Sequence, residues 1–200
     1  MAVSEIQCFS AVAEDIVINP RELAARLKTD AGFENELLDS CRKRLLRVLD
    51  YKCAYIKTDI DLSRENICDF GFMSVPSRNL YKNLSGCSEA FVLAVTTGIA
   101  TDRLLTQLNA VSQAEHFMTD GLSSAAIESF CDYASARITQ GYVCANRFSL
   151  GYGDTSIEFQ KPLLERLQAQ RLLGITLNSA YLMTPVKSIT AIIGIRSRQE

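Results

Sequence analysis

Leu37, Cys41, Leu45 and Leu49 recur at every fourth position of the segment 33–50, and Leu38 and Val48 widen the stripe. A stripe of that width is the core-facing side of an amphipathic helix. Upstream, "NPRELAARLK" (19–28) opens on Asn as a cap with Pro at the first helical position, which predicts a helix start. The pattern then changes character. "YKCAYIKTDID" (51–61) turns to β-favouring residues, and "ENICDFGFMSVPS" (65–77) is apolar but broken by Gly71 and Pro76. One or two strands and a turn are predicted there. "SRNLYKNLSGC" (77–87) reads as a short helix stopped at Gly86, and "SEAFVLAVTTG" (88–98) as a buried strand.

"ATDRLLTQLNAVS" (100–112) places Leu104, Leu105 and Leu108 on one side of a helix. A longer helix is predicted through 122–139, packed by Leu122, Ala126, Phe130, Tyr133 and Ile138. Pro162 near a first turn starts another, which runs through "LLERLQAQRLLG" to Gly174. The last part alternates from 186 to 192 and ends as a strand through "AIIGI" (191–195). Helices and strands are interspersed without βαβ regularity, so a single mixed α+β domain over 1–200 is expected. Neither an internal repeat nor a linker divides it.

Composition narrows the function classes. The 200 residues are enough to bury a real core, and 48% are hydrophobic, 22% charged, with a net charge of −2. That balance gives no general attraction to nucleic acid or to an anionic membrane. The dense basic run "CRKRLLRVLD" (41–50) is read as a solvated helix face, with docking of an acidic partner as the other reading. No stretch approaches the roughly 18 apolar residues of a membrane span. The opening residues are acidic and poor in basic ones, unlike a secretory signal, and a cytoplasmic location is expected. Seven cysteines, an odd number without any C-x-x-C pair, indicate neither a disulfide framework, a zinc ribbon nor an iron–sulfur cluster. A single histidine, His116, leaves a histidine metal site or a Ser-His-Asp triad little to draw on, and it is read as a surface or partly packed residue. No metal ligand and no catalytic residue is assigned.

Two features carry candidate binding chemistry. Opposite the packed stripe of the 122–139 helix, Ser124, Glu128, Cys131 and Ser135 form a face of small residues around one carboxylate. It is either a solvated face or a place where something approaches Glu128 closely. The second is "NRFSLGYGDTS" (146–156). Gly151 and Gly153 flank Tyr152, which permits left-handed turns and close approach to main chain, and Arg147 can grip a carboxylate or phosphate with two parallel hydrogen bonds. Tyr152 offers a flat ring or a hydroxyl. The spacing fits neither a dinucleotide fingerprint nor a Walker loop. On local chemistry the segment is equally a surface turn or a ligand loop.

The combination resembles the activation domain of vitamin B12-dependent methionine synthase, in a free-standing version. The residues that carry the resemblance are "RFSLGYGD" (147–154), "LLGITLNSAYLMTP" (172–185) and "KSITAIIGI" (187–195). Upstream, "LSGCSEAFVLAVTTG" (84–98) and "AAIESFCDYA" (125–134) are similar to further segments of that family. The resemblance covers roughly 80–195, and 1–79 supplies N-terminal helices and strands in a similar order. It implies helices packed on a mainly antiparallel sheet. It also implies a domain that binds S-adenosylmethionine and offers its methyl group to cob(II)alamin carried by a partner. That partner is a methionine synthase or a related corrinoid protein, with a flavodoxin-type protein as electron donor. Arg147 would then hold the methionine carboxylate of the ligand, Glu128 would face its positively charged part, and Gly151, Tyr152 and Gly153 would lie along its adenosine. Little activity is expected of the chain alone.

Leu150 stands where the family usually has Pro, and Asn178 where it usually has Glu. The chain ends at Glu200, before the further C-terminal strands and the tyrosine contact of the fused enzyme. These departures favour an alternative: a ligand-binding or interaction module that keeps the fold without the methyl-donor role. A third reading, an enzyme acting through Cys87 or Cys131, lacks a histidine partner.

Overall fold

The run 90–95, apolar at every position, is the centre of the molecule because both of its faces are covered. The computed structural model describes residues 5–30 and 32–198. Its first half contains strand β1 (Gln7–Ala11), helices α1 (Pro20–Leu27) and α2 (Glu36–Leu46), strand β2 (Tyr51–Asp59), the hairpin β3 (Ile67–Asp69) and β4 (Ser74–Pro76), and helix α3 (Arg78–Asn83). Then follow β5 (Glu89–Thr96), α4 (Ile99–Val111), α5 (Gln113–Ile138), β6 (Tyr142–Cys144), α6 (Gln160–Arg166), α7 (Ala169–Leu173), the hairpin β7 (Thr176–Leu177) and β8 (Met183–Thr184), and β9 (Ser188–Arg198).

Five strands form one sheet in the order β1-β2-β5-β9-β6, and every neighbouring pair is antiparallel. Alternation divides each strand between two cores. Phe91, Leu93 and Val95 of β5, with Tyr51, Cys53, Ala191 and Ile193, face α5 through Ala126, Phe130 and Ala134. Ala90, Val92 and Ala94, with Ala54, Ile56 and Ile192, face Leu80 and Leu84 beside α3, Leu163, Leu164 and Leu167 of the α6 segment, and Leu173 of α7. Outside α5 lies a third cluster, built by Leu23 and Leu27 of α1 and Leu38, Cys41 and Leu45 of α2 against Leu122 and Ala125. Helix α5 is therefore sandwiched, which explains why so much of its circumference is apolar. Gly121 makes the close contact with α1 feasible, since a Cβ there would meet the Leu27 side chain at 2.5 Å.

The helix start at 20 follows the cap read from sequence, and the structure adds caps at the starts at 36 and 78. Asn19 accepts from the Arg21 N–H and Asn35 from the Leu38 N–H, while Ser77 accepts from Leu80 N–H. Three expectations change. Helix α5 begins nine residues before the predicted 122, because the Ser112 side chain caps it at the Glu115 N–H, and this polar first stretch carries no apolar stripe. The predicted helix to Gly174 is two, broken at Gln168, which adopts a left-handed conformation. Short strands β1, β6, β7 and β8 add to those read from sequence. Two residues on α5 also change sides. Cys131 is fully buried in the sheet-facing core, whereas Tyr133 is 38% exposed and only stacks on Phe130.

The basic run is a solvated face on which Arg42 pairs with Glu34, Lys43 with Asp39 and Arg44 with Glu115. His116 is half-buried. Among the described residues, no helix is long and apolar enough to cross a membrane.

Candidate functional site

After β6 the chain enters the loop that holds "RFSLGYGD". Phe148 exchanges two backbone hydrogen bonds with Ile192, at 2.9 and 2.8 Å, so the loop starts fastened to β9. Leu150, the residue in place of proline, is buried at 2% exposure and anchors the loop in the α6 core. The turn itself needs its glycines, since Gly151 and Gly153 have φ of 88° and 63°. Thr155 braces it: its hydroxyl accepts from the Gly151 N–H at 3.0 Å and donates to the Tyr152 carbonyl at 2.7 Å. Asp154 fastens the far end to α3. Its carboxylate accepts from the Ser77 hydroxyl, the Arg78 N–H at 2.8 Å and the Asn79 N–H at 3.3 Å. The Ser77 hydrogen bond, helped by the two amides, holds the Asp154 carboxyl below its ordinary range. Contact is so close here that a Cβ on Gly153 would stand 2.6 Å from the Asn79 amide nitrogen.

The pinned loop forms one wall of a cleft of about 440 Å³, within the usual range for small-ligand sites. Glu128, Arg147, Leu150, Tyr152, Gln160 and Met183 are among its lining residues. Arg147 reaches α5, where one terminal nitrogen donates to Glu128 at 2.9 Å and the other to Asp132 at 3.0 Å. Burial alone would lower the Arg147 pKa, but the carboxylates of Asp132 and Glu128 outweigh it and the value rises, so the guanidinium is a permanent cation. Gln160, 6% exposed, joins the loop to the sheet: its amide donates to the Leu150 carbonyl at 3.3 Å and its oxygen accepts from Thr190 at 2.7 Å. Tyr152 projects from the loop with 73% exposure. The cleft thus offers a fixed cation beside carboxylates, a polar back wall and an exposed aromatic ring at its edge.

Of the residues read from sequence, Glu128, Arg147 and Tyr152 line this one cleft. Gly151 and Gly153 shape the loop instead, and the Gly151 N–H is already engaged by Thr155. The small-residue face around Glu128 is narrower than its spacing indicated. Cys131 points into the core, Ser124 accepts from Lys187 Nζ at 2.8 Å, and Ser135 bonds back to the Cys131 carbonyl. Asp132, Gln160, Thr190 and Met183 stand around Glu128 and Arg147. Only Asp132 had a legible signal, four residues beyond Glu128 on one helix face. The others arrive through tertiary contact.

A larger cleft of about 930 Å³ lies between α6, α7 and the β7–β8 hairpin. Its lining includes Lys161, Glu165 and Arg171, and Asn178, which also lines it, has a structural task. The Asn178 side-chain oxygen accepts from the Ala180 and Leu182 N–H groups at 2.9 and 3.0 Å and so shapes the hairpin. The cysteines are free thiols. Burial pushes Cys131 up to about 12 and also raises Cys87, which keeps both in the unreactive thiol form. Among the described residues no group of three or more His, Cys, Asp or Glu is placed to hold a metal ion.

No protein-family model matches this sequence, and no curated protein matches it. The fold, however, is that of a solved structure described as the MetH reactivation domain bound to AdoHcy. The two superpose with a TM-score of 0.65 at 15% identity, over 98% of this chain and 80% of the other. The antiparallel five-stranded sheet with its helices is therefore the reactivation-domain fold.

Proposed function

We propose that this chain binds S-adenosylmethionine in the cleft between α5 and the loop 147–154. The observation that carries this reading is Arg147 beside Glu128 in a small-ligand cleft, on the fold of a domain solved with AdoHcy. The amino-acid end of such a ligand carries a carboxylate and an ammonium next to each other. Arg147 takes the first by charge-assisted hydrogen bonds and Glu128 the second. Tyr152 supplies an aromatic face for the adenine, and Gly151 and Gly153 keep the loop's main chain close to the sugar. The residues fit the ligand, because they provide one group of opposite charge for each ionised group of its amino-acid end.

Bound S-adenosylmethionine supplies an electrophilic methyl group. The chain's own work is to bind and orient it, since Arg147 and Glu128 fix one end and the loop the other. The cleft opens to solvent at Tyr152, which leaves the ligand accessible to a partner. The partner in this reading carries cobalamin, as a methionine synthase or another corrinoid protein, and a flavodoxin-type protein supplies the electron for reductive remethylation. The alternative module without a methyl-donor role is favoured by one observation: Arg147 is already satisfied by two carboxylates.

Calorimetric titration with S-adenosylmethionine, for wild type and Arg147→Ala, tests the reading. Saturable binding by wild type that weakens by about tenfold or more in the variant is expected, as for loss of a charge-assisted pair. Equal binding by both would move the ligand elsewhere, and no binding by folded wild type would favour the alternative.

A further inference from the structure

Asp132 sits one turn beyond Glu128 on α5, and both carboxylates reach the same guanidinium, at 3.0 and 2.9 Å. One cation against two anions leaves an excess of one negative charge at the mouth of the cleft. The other ion pair of Glu128, to Arg26 at 3.9 Å, is long, and Arg26 is held closely by Glu22 at 2.8 Å. The two acids differ in setting. The side chain of Glu128 is 33% exposed and lines the cleft, whereas that of Asp132 is 69% exposed and does not.

Resting on the ligand reading above, we propose that Asp132 is an internal competitor for the ligand carboxylate and sets the affinity of the site. A guanidinium grips a carboxylate best with two parallel N–H groups. Here one terminal nitrogen is turned to each acid, so a ligand carboxylate gains that grip only by displacing one of them. Asp132 is the one to leave, because an exposed ion pair contributes little and water readily replaces its partner. Glu128 stays, compensates Arg147 and accepts the ligand ammonium. Even when displaced, Asp132 remains close enough to repel the incoming carboxylate. The competitor acts only on ligands that carry a carboxylate, which makes it a specificity-determining residue rather than a general stabiliser.

The test is calorimetric titration of wild type, Asp132→Asn and Asp132→Ser with two ligands, S-adenosylmethionine and its decarboxylated analogue, with thermal melts to verify folding. Both variants are expected to bind S-adenosylmethionine about two- to fivefold more tightly, the change expected when one exposed opposing charge is removed. The decarboxylated analogue should show no such gain. Binding by the variants where wild type shows none would support the proposal in its strongest form. Unchanged or weaker binding of S-adenosylmethionine by both variants would overturn it while leaving the ligand site intact, and weaker binding would make Asp132 a contact for the ammonium. Equal gains for both ligands would also overturn it, since the carboxylate would then be irrelevant. If neither wild type nor either variant binds, the ligand reading falls and the proposal with it.

Discussion

Toward the sheet, α5 presents Ala126, Phe130 and Ala134, all fully buried, and Phe130 lies on Tyr51 with ring centroids 4.5 Å apart. On another side the same helix presents Asp120, Ser124, Glu128 and Asp132, a ladder with four-residue spacing of which Glu128 lines the cleft. Its rungs are filled by two cations: Lys187 bonds Asp120 and Ser124, and Arg147 bonds Glu128 and Asp132. The first side holds by area removed from water, which is non-directional and strong in sum. The second holds by directional, partly solvated contacts that each contribute little. One helix can therefore position a site and let the site's chemistry change without endangering the fold.

Replacing Phe130 by Ala attacks the first side and should have the largest effect, a loss of about 3–5 kcal/mol in urea denaturation together with ligand binding. A loss under 1 kcal/mol would mean that the sandwich is not where stability resides. Gly153→Ala acts on the loop that faces the second side. A left-handed φ and a Cβ only 2.6 Å from the Asn79 amide should cost about 1–2 kcal/mol, and adding Asn79→Ala should recover the part due to the clash. Full recovery would show that the backbone conformation itself is unstrained. Arg147→Ala should lower stability by less than about 1 kcal/mol while weakening binding about tenfold or more, the contrast with Phe130→Ala that the comparison requires.

The smallest effect is set by pH. The folded Asp154 carboxyl lies below its ordinary value of 3.8, so its contribution to holding the loop is complete above that pH and disappears as pH falls through the lowered folded value. The amide resonances of Arg78 and Asn79 should therefore move together below pH 3.8, and Asp154→Asn should abolish that titration. Resonances that stay still would detach the loop from α3.

Caps and periodicity made much of this legible. Asn19, Asn35 and Ser77 announce helices through local chemistry, and the run 90–95 announces a strand covered on both faces. Arg147, Glu128 and Tyr152 stood out because an isolated arginine near two glycines and a glutamate among small residues are unusual local patterns. Cys131 and Tyr133 were misplaced because a helix packed on two sides has no single polar face that spacing can identify. Local sequence thus determined the main elements, the glycine turn and the chemical types available for a site. Tertiary structure alone decided that Arg147 meets two carboxylates rather than one, that Asp154 fastens its loop to α3 across a separation of 77 residues, and that Gln160 bridges loop and sheet. Those contacts depend on distances between segments remote along the chain, set by how the sheet and its helices pack, and no local pattern encodes them.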